Sequence, residues 1–146
     1  MKNISVRKYL YGCLCLAFLF LFSCKKDLTK FAESYKEITG TWKIVELTRN
    51  SEDMTSRMDL SKFRIIFNGD NTYTLQDQFP FFVTEPGTYR FDDPQYPFFL
   101  NFQVTGSTTE NKVSFEYPIV NGKRQIKLTI TLGCNKNSYV YYFEKE

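Results

Sequence analysis

The alternation that decides the fold is clearest in Ile126-Lys127-Leu128-Thr129-Ile130-Thr131-Leu132, where every second side chain is apolar. Successive side chains of a strand point to opposite faces of a sheet, so this pattern predicts a β-strand with one buried face. The segment Val113-Ser114-Phe115-Glu116-Tyr117 alternates in the same way, and Asn121-Gly122 between the two is typical of a tight turn. After them, residues 138–144 carry an aromatic residue at every second position. The three segments together predict an antiparallel meander.

The same period of two recurs upstream in five further short segments, and no convincing amphipathic helix follows Gly40. Between two of them, Asn68-Gly69-Asp70-Asn71 holds residues that tolerate the positive φ of a hairpin turn. We therefore predict an all-β domain whose eight antiparallel strands close into an up-and-down barrel, because closure removes both exposed edges of a sheet. A two-sheet β-sandwich is the alternative architecture. The predicted strands cover residues 41–49, 62–67, 72–76, 87–91, 97–104, 113–117, 126–132 and 138–144.

The N-terminal segment has the pattern of an export signal and is excluded from the predicted fold. Residues 1–8 hold three cations and no acid, and residues 9–22 are uncharged, as in the basic and apolar regions of a signal peptide. The apolar run is shorter than the roughly 20 residues that a membrane-spanning helix needs. We therefore divide the chain into a signal peptide over residues 1–23, an anchor and tether over 24–39, and the barrel over 40–146.

The end of that segment, Leu21-Phe22-Ser23-Cys24, resembles the lipobox of bacterial lipoproteins. In that family the cysteine sulfur receives a diacylglycerol, the signal is cut before the cysteine, and the new amine is acylated. The resemblance implies that Cys24 is a lipidation site carrying these acyl chains, with no other cofactor. Two or three acyl chains anchor a protein firmly, whereas one binds only marginally. The resemblance thus implies an outer-membrane protein held by its lipid, and it leaves open whether the protein faces the periplasm or the cell surface.

The composition removes several classes of function. With no His in 146 residues, imidazole-based triads, His-ligated zinc and most acid–base catalysis near neutral pH are excluded, and we expect neither a catalytic nor a metal site. Beyond Cys24 the chain has one further cysteine, Cys134, whose role stays open. The formal net charge of +3 comes from the signal segment, since residues 24–146 hold 16 bases and 16 acids. Nucleic acid is therefore not an expected partner.

A second resemblance lies at the start of the predicted barrel. The stretch Ile38-Thr39-Gly40-Thr41-Trp42-Lys43-Ile44 resembles the Gly-x-Trp opening of lipocalins, in which the glycine frees the chain entering the first strand and the tryptophan plugs the barrel floor. With the lipobox, the aromatic strands and the aromatic C-terminal strand, the chain is similar to the lipocalin-like lipoproteins of Bacteroidota, a largely uncharacterised group. It departs from lipocalins in having no Thr-Asp-Tyr turn motif and no evident late arginine to pack over the tryptophan.

Aromatic residues make up 18% of the chain and supply most of the candidate binding residues. Those in strands are predicted to face the lumen, and Phe79-Pro80-Phe81-Phe82 lies in a loop that can cover a barrel mouth or dock a partner. An eight-stranded barrel is just wide enough to be filled by side chains or to hold one small ligand. The candidate lumen and lid residues are Trp42, Phe63, Ile65, Phe67, Tyr73, Phe79, Phe81, Phe82, Tyr89 and Phe91.

Two functions follow from this pattern. One is a binding module that holds a small apolar or amphipathic ligand in the cell envelope, and the alternative is a structural or interaction protein whose filled barrel docks an envelope protein. An enzyme is not expected. It would require polar groups such as Tyr89, Arg90, Asp92 and Glu116 to converge in one pocket.

Overall fold

A computed structural model describes residues 33–77, 82–133 and 136–146. Cys24, Phe79, Phe81 and Cys134 lie outside the described residues, as do the signal segment and most of the tether. The described part forms ten β-strands and one turn of 3-10 helix at Thr55–Arg57. The strands are β1 (Gly40–Arg49), β2 (Glu52–Asp53), β3 (Arg64–Phe67), β4 (Thr72–Gln76), β5 (Gly87–Phe91), β6 (Phe99–Val104), β7 (Glu110–Glu116), β8 (Ile119–Val120), β9 (Lys123–Thr131) and β10 (Ser138–Lys145).

Eight of these strands close into an antiparallel barrel. Each pairs with the next along the path β1, β3, β4, β5, β6, β7, β9 and β10, and β10 then pairs with β1. The register at closure sets Trp42 opposite Lys145, and Leu47 opposite Tyr141. The predicted up-and-down barrel is therefore confirmed, and the β-sandwich alternative is wrong, because a strand pair joins the first and last strands. The two remaining strands are short additions, with β2 paired to β1 and β8 paired to β9.

The predicted turns form where the sequence places residues that accept positive φ. Asn71 has φ +63°, and the backbone N–H of Asn68 donates to the carbonyl oxygen of Thr72 at 2.8 Å. Asn121 and Gly122 have φ +50° and +79° and connect β8 to β9. Two successive residues at positive φ give the twist that a two-residue hairpin needs. These turns account for the tight connections of the meander.

The barrel has two different ends, which we call the floor and the mouth. The floor is the end at which β1 begins, and it is formed by residues 33–39, 68–71, 92–98 and 117–122. The mouth is the end at which β1 terminates, and its described residues are 50–63, 77, 82–86, 105–109, 132–133 and 136–137. The described unit begins at Glu33, which lies on the floor side of the barrel.

Among the strand pairs of the barrel, β4 and β5 share the fewest paired residues. Only Thr72 with Thr88 and Tyr73 with Gly87 are paired between them. A Cβ atom at Gly87 would lie 2.0 Å from the carbonyl oxygen of Gln103 on β6, so the close approach of the two backbones requires glycine there.

Alternation fills the lumen with apolar side chains, as the sequence predicts. Twenty hydrophobic residues are buried in one core cluster, including Trp42, Tyr73, Phe102 and Phe143 at 0 or 1% exposure. Each fully buried large side chain contributes about 2 kcal/mol to folding. Within the described residues, no helix is long and apolar enough to cross a membrane.

Candidate functional site

The floor of the barrel is sealed by Trp42. Its side chain is fully buried, and its indole Nε1 donates to the carbonyl oxygen of Ile38 at 2.7 Å. Tyr117 packs beside it with ring centroids 6.2 Å apart, and its hydroxyl donates to the carbonyl oxygen of Glu37 at 3.0 Å. The guanidinium of Arg124 lies 5.3 Å from the centre of the Tyr117 ring. The chain entering the barrel is thus tied to its floor around Trp42, and a pocket of about 220 Å³, lined in part by Tyr96, Phe98 and Tyr117, lies at this end.

The middle of the lumen is filled by interlocking aromatic rings. Phe67 meets Tyr89 edge to face at 4.8 Å between centroids, and Tyr73 meets Phe102 in the same way at 5.1 Å. Such edge-to-face pairs are the favoured packing of aromatic side chains. Five of the predicted binding residues therefore lie in the packed core of the lumen: Phe63, Ile65, Phe67, Tyr73 and Tyr89. Trp42 on the floor is the sixth that is buried in the core. Phe91, half-buried, packs on Phe115 at 5.0 Å.

Tyr73 and Tyr89 differ in how their hydroxyl groups are satisfied. The hydroxyl of Tyr89 donates to the carbonyl oxygen of Asn68 at 3.1 Å. The hydroxyl of Tyr73 is buried and has no hydrogen-bond partner among the described residues. Burial raises the pKa of Tyr73 from 10.0 to about 12, because the phenolate would lose its hydration. Tyr73 is therefore held neutral inside the lumen.

Unlike the middle, the mouth contains an open cavity of about 380 Å³. Its wall is made by the mouth-side ends of β1, β9 and β10, and two loop side chains, Met58 and Phe82, close over it. The ring of Phe82 rests edge to face on Phe102 at 4.8 Å, which joins the cavity to the packed core below. The full lining is Leu47, Met58, Phe82, Ile130, Leu132, Tyr139 and Tyr141.

Two tyrosines give this apolar cavity its polar character. Tyr141 is buried, and burial, reinforced by the neighbouring Tyr139, raises its pKa from 10.0 to about 12. At the rim, the guanidinium of Arg49 lies 5.5 Å from the centre of the Tyr139 ring and donates to Asn137 Oδ1 at 3.2 Å. An apolar wall with two tyrosine rings, and the guanidinium of Arg49 at its rim, suits a ligand with an apolar body and a polar end.

Of the ten predicted binding residues, Phe82 alone lines this cavity in the described part of the chain. The residues that the sequence reasoning missed are mainly aliphatic and tyrosine side chains near strand ends. Leu47 illustrates why: a bulge between Ile44 and Glu46 shifts the register, so Ile44 and Leu47 both point inward. The charged Glu46, at a position where simple alternation expects an inward residue, is the signal in the sequence for this bulge.

The polar groups of an enzymatic alternative do not meet in one pocket. Tyr89 points into the lumen, whereas the next residue, Arg90, forms a bidentate ion pair with Glu110 outside it, at 2.8 Å for each contact. Glu116 pairs with Lys127 at 2.8 Å. Asp92 accepts the backbone N–H of Phe99 at 2.9 Å in the floor loop. Each of these groups is engaged locally by a different part of the surface or lumen.

The fold and the cavity define a class of protein: a small closed β-barrel, sealed at one end and bearing an apolar cavity at the other. The chain belongs to the family DUF5004, a domain of unknown function, whose sequence model matches residues 22–144. That match includes Cys24 as well as the barrel. No curated protein and no solved structure matches the chain.

Proposed function

We propose that this protein is a lipid-anchored, lipocalin-like binding module that holds one small apolar or amphipathic ligand at the outer membrane. The observation that carries the proposal is the mouth cavity, whose volume of about 380 Å³ falls within the range of small-molecule sites. Trp42 is bonded to the carbonyl oxygen of Ile38 at the floor, so we place ligand entry at the mouth, where the larger cavity lies. No catalytic group is assigned to this site.

The lining restricts the chemistry of the ligand. Leu47, Ile130 and Leu132 offer aliphatic surface, and Tyr139 and Tyr141 offer ring surface on β10, the strand between β1 and β9. Burying apolar ligand area against them contributes about 25 cal/mol per Å². The ligand's polar end would remain at the rim near Arg49, where charge is still hydrated. A fatty-acid-like or isoprenoid-like molecule fits this division better than a sugar or a nucleotide.

The test is to fill the cavity without disturbing the barrel. The variant Ile130→Trp places an indole in the cavity, and Thr131→Trp places the same ring one residue further on the outer face. Binding of an apolar fluorescent probe to the purified chain from Cys24 onward should weaken about tenfold or more in Ile130→Trp and stay unchanged in Thr131→Trp. Equal affinity in both variants would show that the probe binds elsewhere.

A ligand carried through purification offers an independent measurement. Organic extracts of the wild-type protein and of Ile130→Trp, prepared from the native envelope, are compared by mass spectrometry. A species enriched with the wild type and absent from the variant identifies the ligand class. Empty extracts together with no probe binding would contradict the proposal.

A second candidate function is a packed barrel that docks an envelope protein. The observation in its favour is that six of the predicted lining residues lie in the tightly packed part of the barrel, so most of the lumen is filled. Crosslinking in intact envelope, followed by affinity purification and mass spectrometry, tests it. A reproducible protein partner whose capture is indifferent to Ile130→Trp favours this function, and a solitary monomer in every condition counts against it.

The lipid anchor is proposed from the lipobox resemblance and has its own test. Cys24→Ala should accumulate as an uncleaved precursor that takes up no labelled palmitate. The matched control is Cys13→Ala, which removes a cysteine from the apolar run of the signal instead. Normal cleavage and labelling of Cys24→Ala would refute the anchor while leaving the cavity proposal standing.

A further inference from the structure

Exposed apolar side chains are concentrated at one end of the barrel. Among the described residues, six large hydrophobic side chains are exposed, and five of them belong to floor segments. Leu132 is the sixth and lies at the mouth. A scattered distribution would need no explanation, but clustering at one end marks an interaction surface. The floor residues are Tyr35 and Phe98, each 70% exposed, with Tyr96, Ile119 and Val120.

The floor loop that bears two of these aromatics is held in place by its own carboxylates. Asp92 Oδ1 accepts the backbone N–H groups of Phe98 and Phe99 at 3.1 and 2.9 Å. Asp93 Oδ1 accepts those of Gln95 and Tyr96 at 2.8 and 3.1 Å. Partial burial of Asp92 works against its charged form, but the backbone N–H groups of Phe99 and Phe98 that it accepts lower its pKa. These hydrogen bonds hold the loop in one conformation, and its aromatic side chains stay outside the core. Binding at this surface therefore costs little further conformational entropy of the loop.

The floor segments hold five acids and one base, so a contact with a headgroup layer depends on their exposed apolar side chains and not on attraction to anionic lipid. Two cations, Lys123 and Arg124, follow the turn after β8, and Arg124 lies over Tyr117. Glu33 is paired with Lys36. Aromatic side chains flanked by basic ones are the composition found at membrane–water interfaces.

The entry point of the chain selects a membrane as the occupant of this surface. Glu33 lies in the floor, where its carbonyl oxygen accepts Gln95 Nε2 at 3.0 Å, and Lys36 N–H donates to the carbonyl oxygen of Pro94 at 2.8 Å. Cys24 is nine residues earlier in the sequence, a reach of at most about 30 Å. A lipid on Cys24 would therefore join the bilayer to the floor end of the barrel, and the mouth lies a barrel length further from that attachment point.

We propose that the floor of the barrel rests on the membrane surface, with Tyr35, Tyr96, Phe98, Ile119 and Val120 in the headgroup region. This orientation rests on the proposed lipid anchor, and it goes beyond it by assigning a second contact with the membrane. It turns the mouth cavity away from the bilayer, so the ligand exchanges with the aqueous side. The lipid keeps the protein at the membrane, while the floor fixes its orientation there.

The test compares reporters at the two ends. Phe98→Trp and Leu132→Trp each replace an exposed apolar side chain, one at the floor and one at the mouth, with Trp42 as a common background. Each chain of residues 24–146, also carrying Cys134→Ser, is coupled through Cys24 to a maleimide lipid in phosphatidylethanolamine and phosphatidylglycerol vesicles. Chemical coupling makes the result independent of whether cells acylate Cys24.

Brominated lipids should quench the added fluorescence of Phe98→Trp at least about twofold more strongly than that of Leu132→Trp. A third chain, which adds Tyr96→Ser and Ile119→Ser to Phe98→Trp, should lose much of this difference. Equal quenching at both ends, or stronger quenching at Leu132→Trp, overturns the proposed orientation. The orientation is also overturned if a water-soluble quencher still quenches the added fluorescence of Phe98→Trp on the vesicle. In that case the surface would be free to bind a protein partner or a second copy of the chain. None of these outcomes affects the test of the mouth cavity with Ile130→Trp.

Discussion

The floor and the mouth of this barrel are built from the two ends of the same strands, yet they hold different amounts of space. At the floor, Trp42 is fully buried and bonded to the carbonyl oxygen of Ile38 at 2.7 Å, and the pocket beside Tyr96 and Tyr117 measures about 220 Å³. At the mouth, Leu47 and Tyr141 border a cavity of about 380 Å³. The two ends therefore differ in how tightly the strand ends are packed, and four measurements test that contrast.

The largest effect is expected for Trp42→Ala at the floor. It removes a fully buried indole and leaves the carbonyl oxygen of Ile38 without its donor. Large-to-small substitutions of this kind cost about 3–5 kcal/mol. The free energy of unfolding measured in urea should fall by that amount. A loss below about 1 kcal/mol would mean that the floor relaxes as freely as the mouth.

The second effect is a loss of stability at alkaline pH from Tyr73 and Tyr141. Both pKa values are raised by burial to about 12 in the folded protein, against 10.0 for the free side chain. Both groups are neutral in the folded and unfolded chain below pH 10, so they give no pH dependence there. As pH rises from 10 towards 12 the unfolded chain ionises first, and the free energy of unfolding falls by about 2–3 kcal/mol for each group.

Unfolding in urea at a series of alkaline pH values, with tyrosinate absorbance followed in parallel, measures this loss. Tyr141→Phe should remove the part that comes from the mouth, and Tyr73→Phe the part that comes from the packed lumen. If Tyr141 titrates at its ordinary pKa while Tyr73 does not, the cavity is more hydrated than its lining indicates.

A smaller effect of opposite sign is expected for Tyr73→Phe at neutral pH. The hydroxyl group of Tyr73 is buried and unpaired among the described residues, so its removal relieves a desolvation cost. The free energy of unfolding should rise by about 1 kcal/mol. Tyr89→Phe is the control, since it deletes a hydroxyl that is bonded to Asn68 at 3.1 Å and should lower stability. A destabilised Tyr73→Phe would reveal a partner for this hydroxyl.

The smallest effect on stability is expected for Leu132→Ala at the mouth. Leu132 is 51% exposed, so its truncation should change the free energy of unfolding by about 0.5 kcal/mol or less. Because Leu132 lines the cavity, probe affinity should nevertheless fall by a few-fold. Thermal melts and probe titrations on the same samples separate the two effects. A stability loss like that of Trp42→Ala would erase the distinction between the ends.

Much of the fold could be predicted from local patterns. The predicted strands at residues 72–76 and 87–91 coincide with β4 and β5, and the Asn-Gly turns lie where they were expected. The strand β7 begins three residues earlier than predicted, and the short strands β2 and β8 were not predicted. Both short strands depend on pairing with a longer neighbour, and their own sequences have too few residues to show a period.

The candidate site was predictable only in kind. Alternation correctly assigns Phe67, Tyr73 and Tyr89 to the lumen. It does not give the position of each side chain along the barrel axis, nor how tightly the lumen is packed at that position. The bulge after Ile44, which turns Leu47 inward, breaks the alternation that the prediction relies on. The tyrosines of β10 were assigned to the correct face without being recognised as cavity walls.

Local patterns specify most of the inward-facing side chains and the turns, because both depend on neighbours within a few residues. Long-range packing sets three further features: the barrel closes through β10 and β1, Trp42 has its partner in the entering chain, and a cavity lies beside Tyr141. Each of these depends on side chains from several tilted strands meeting at one level. The strand tilt, the bulge in β1 and the loop positions set that level together, so the cavity is a property of their packing and not of any one segment.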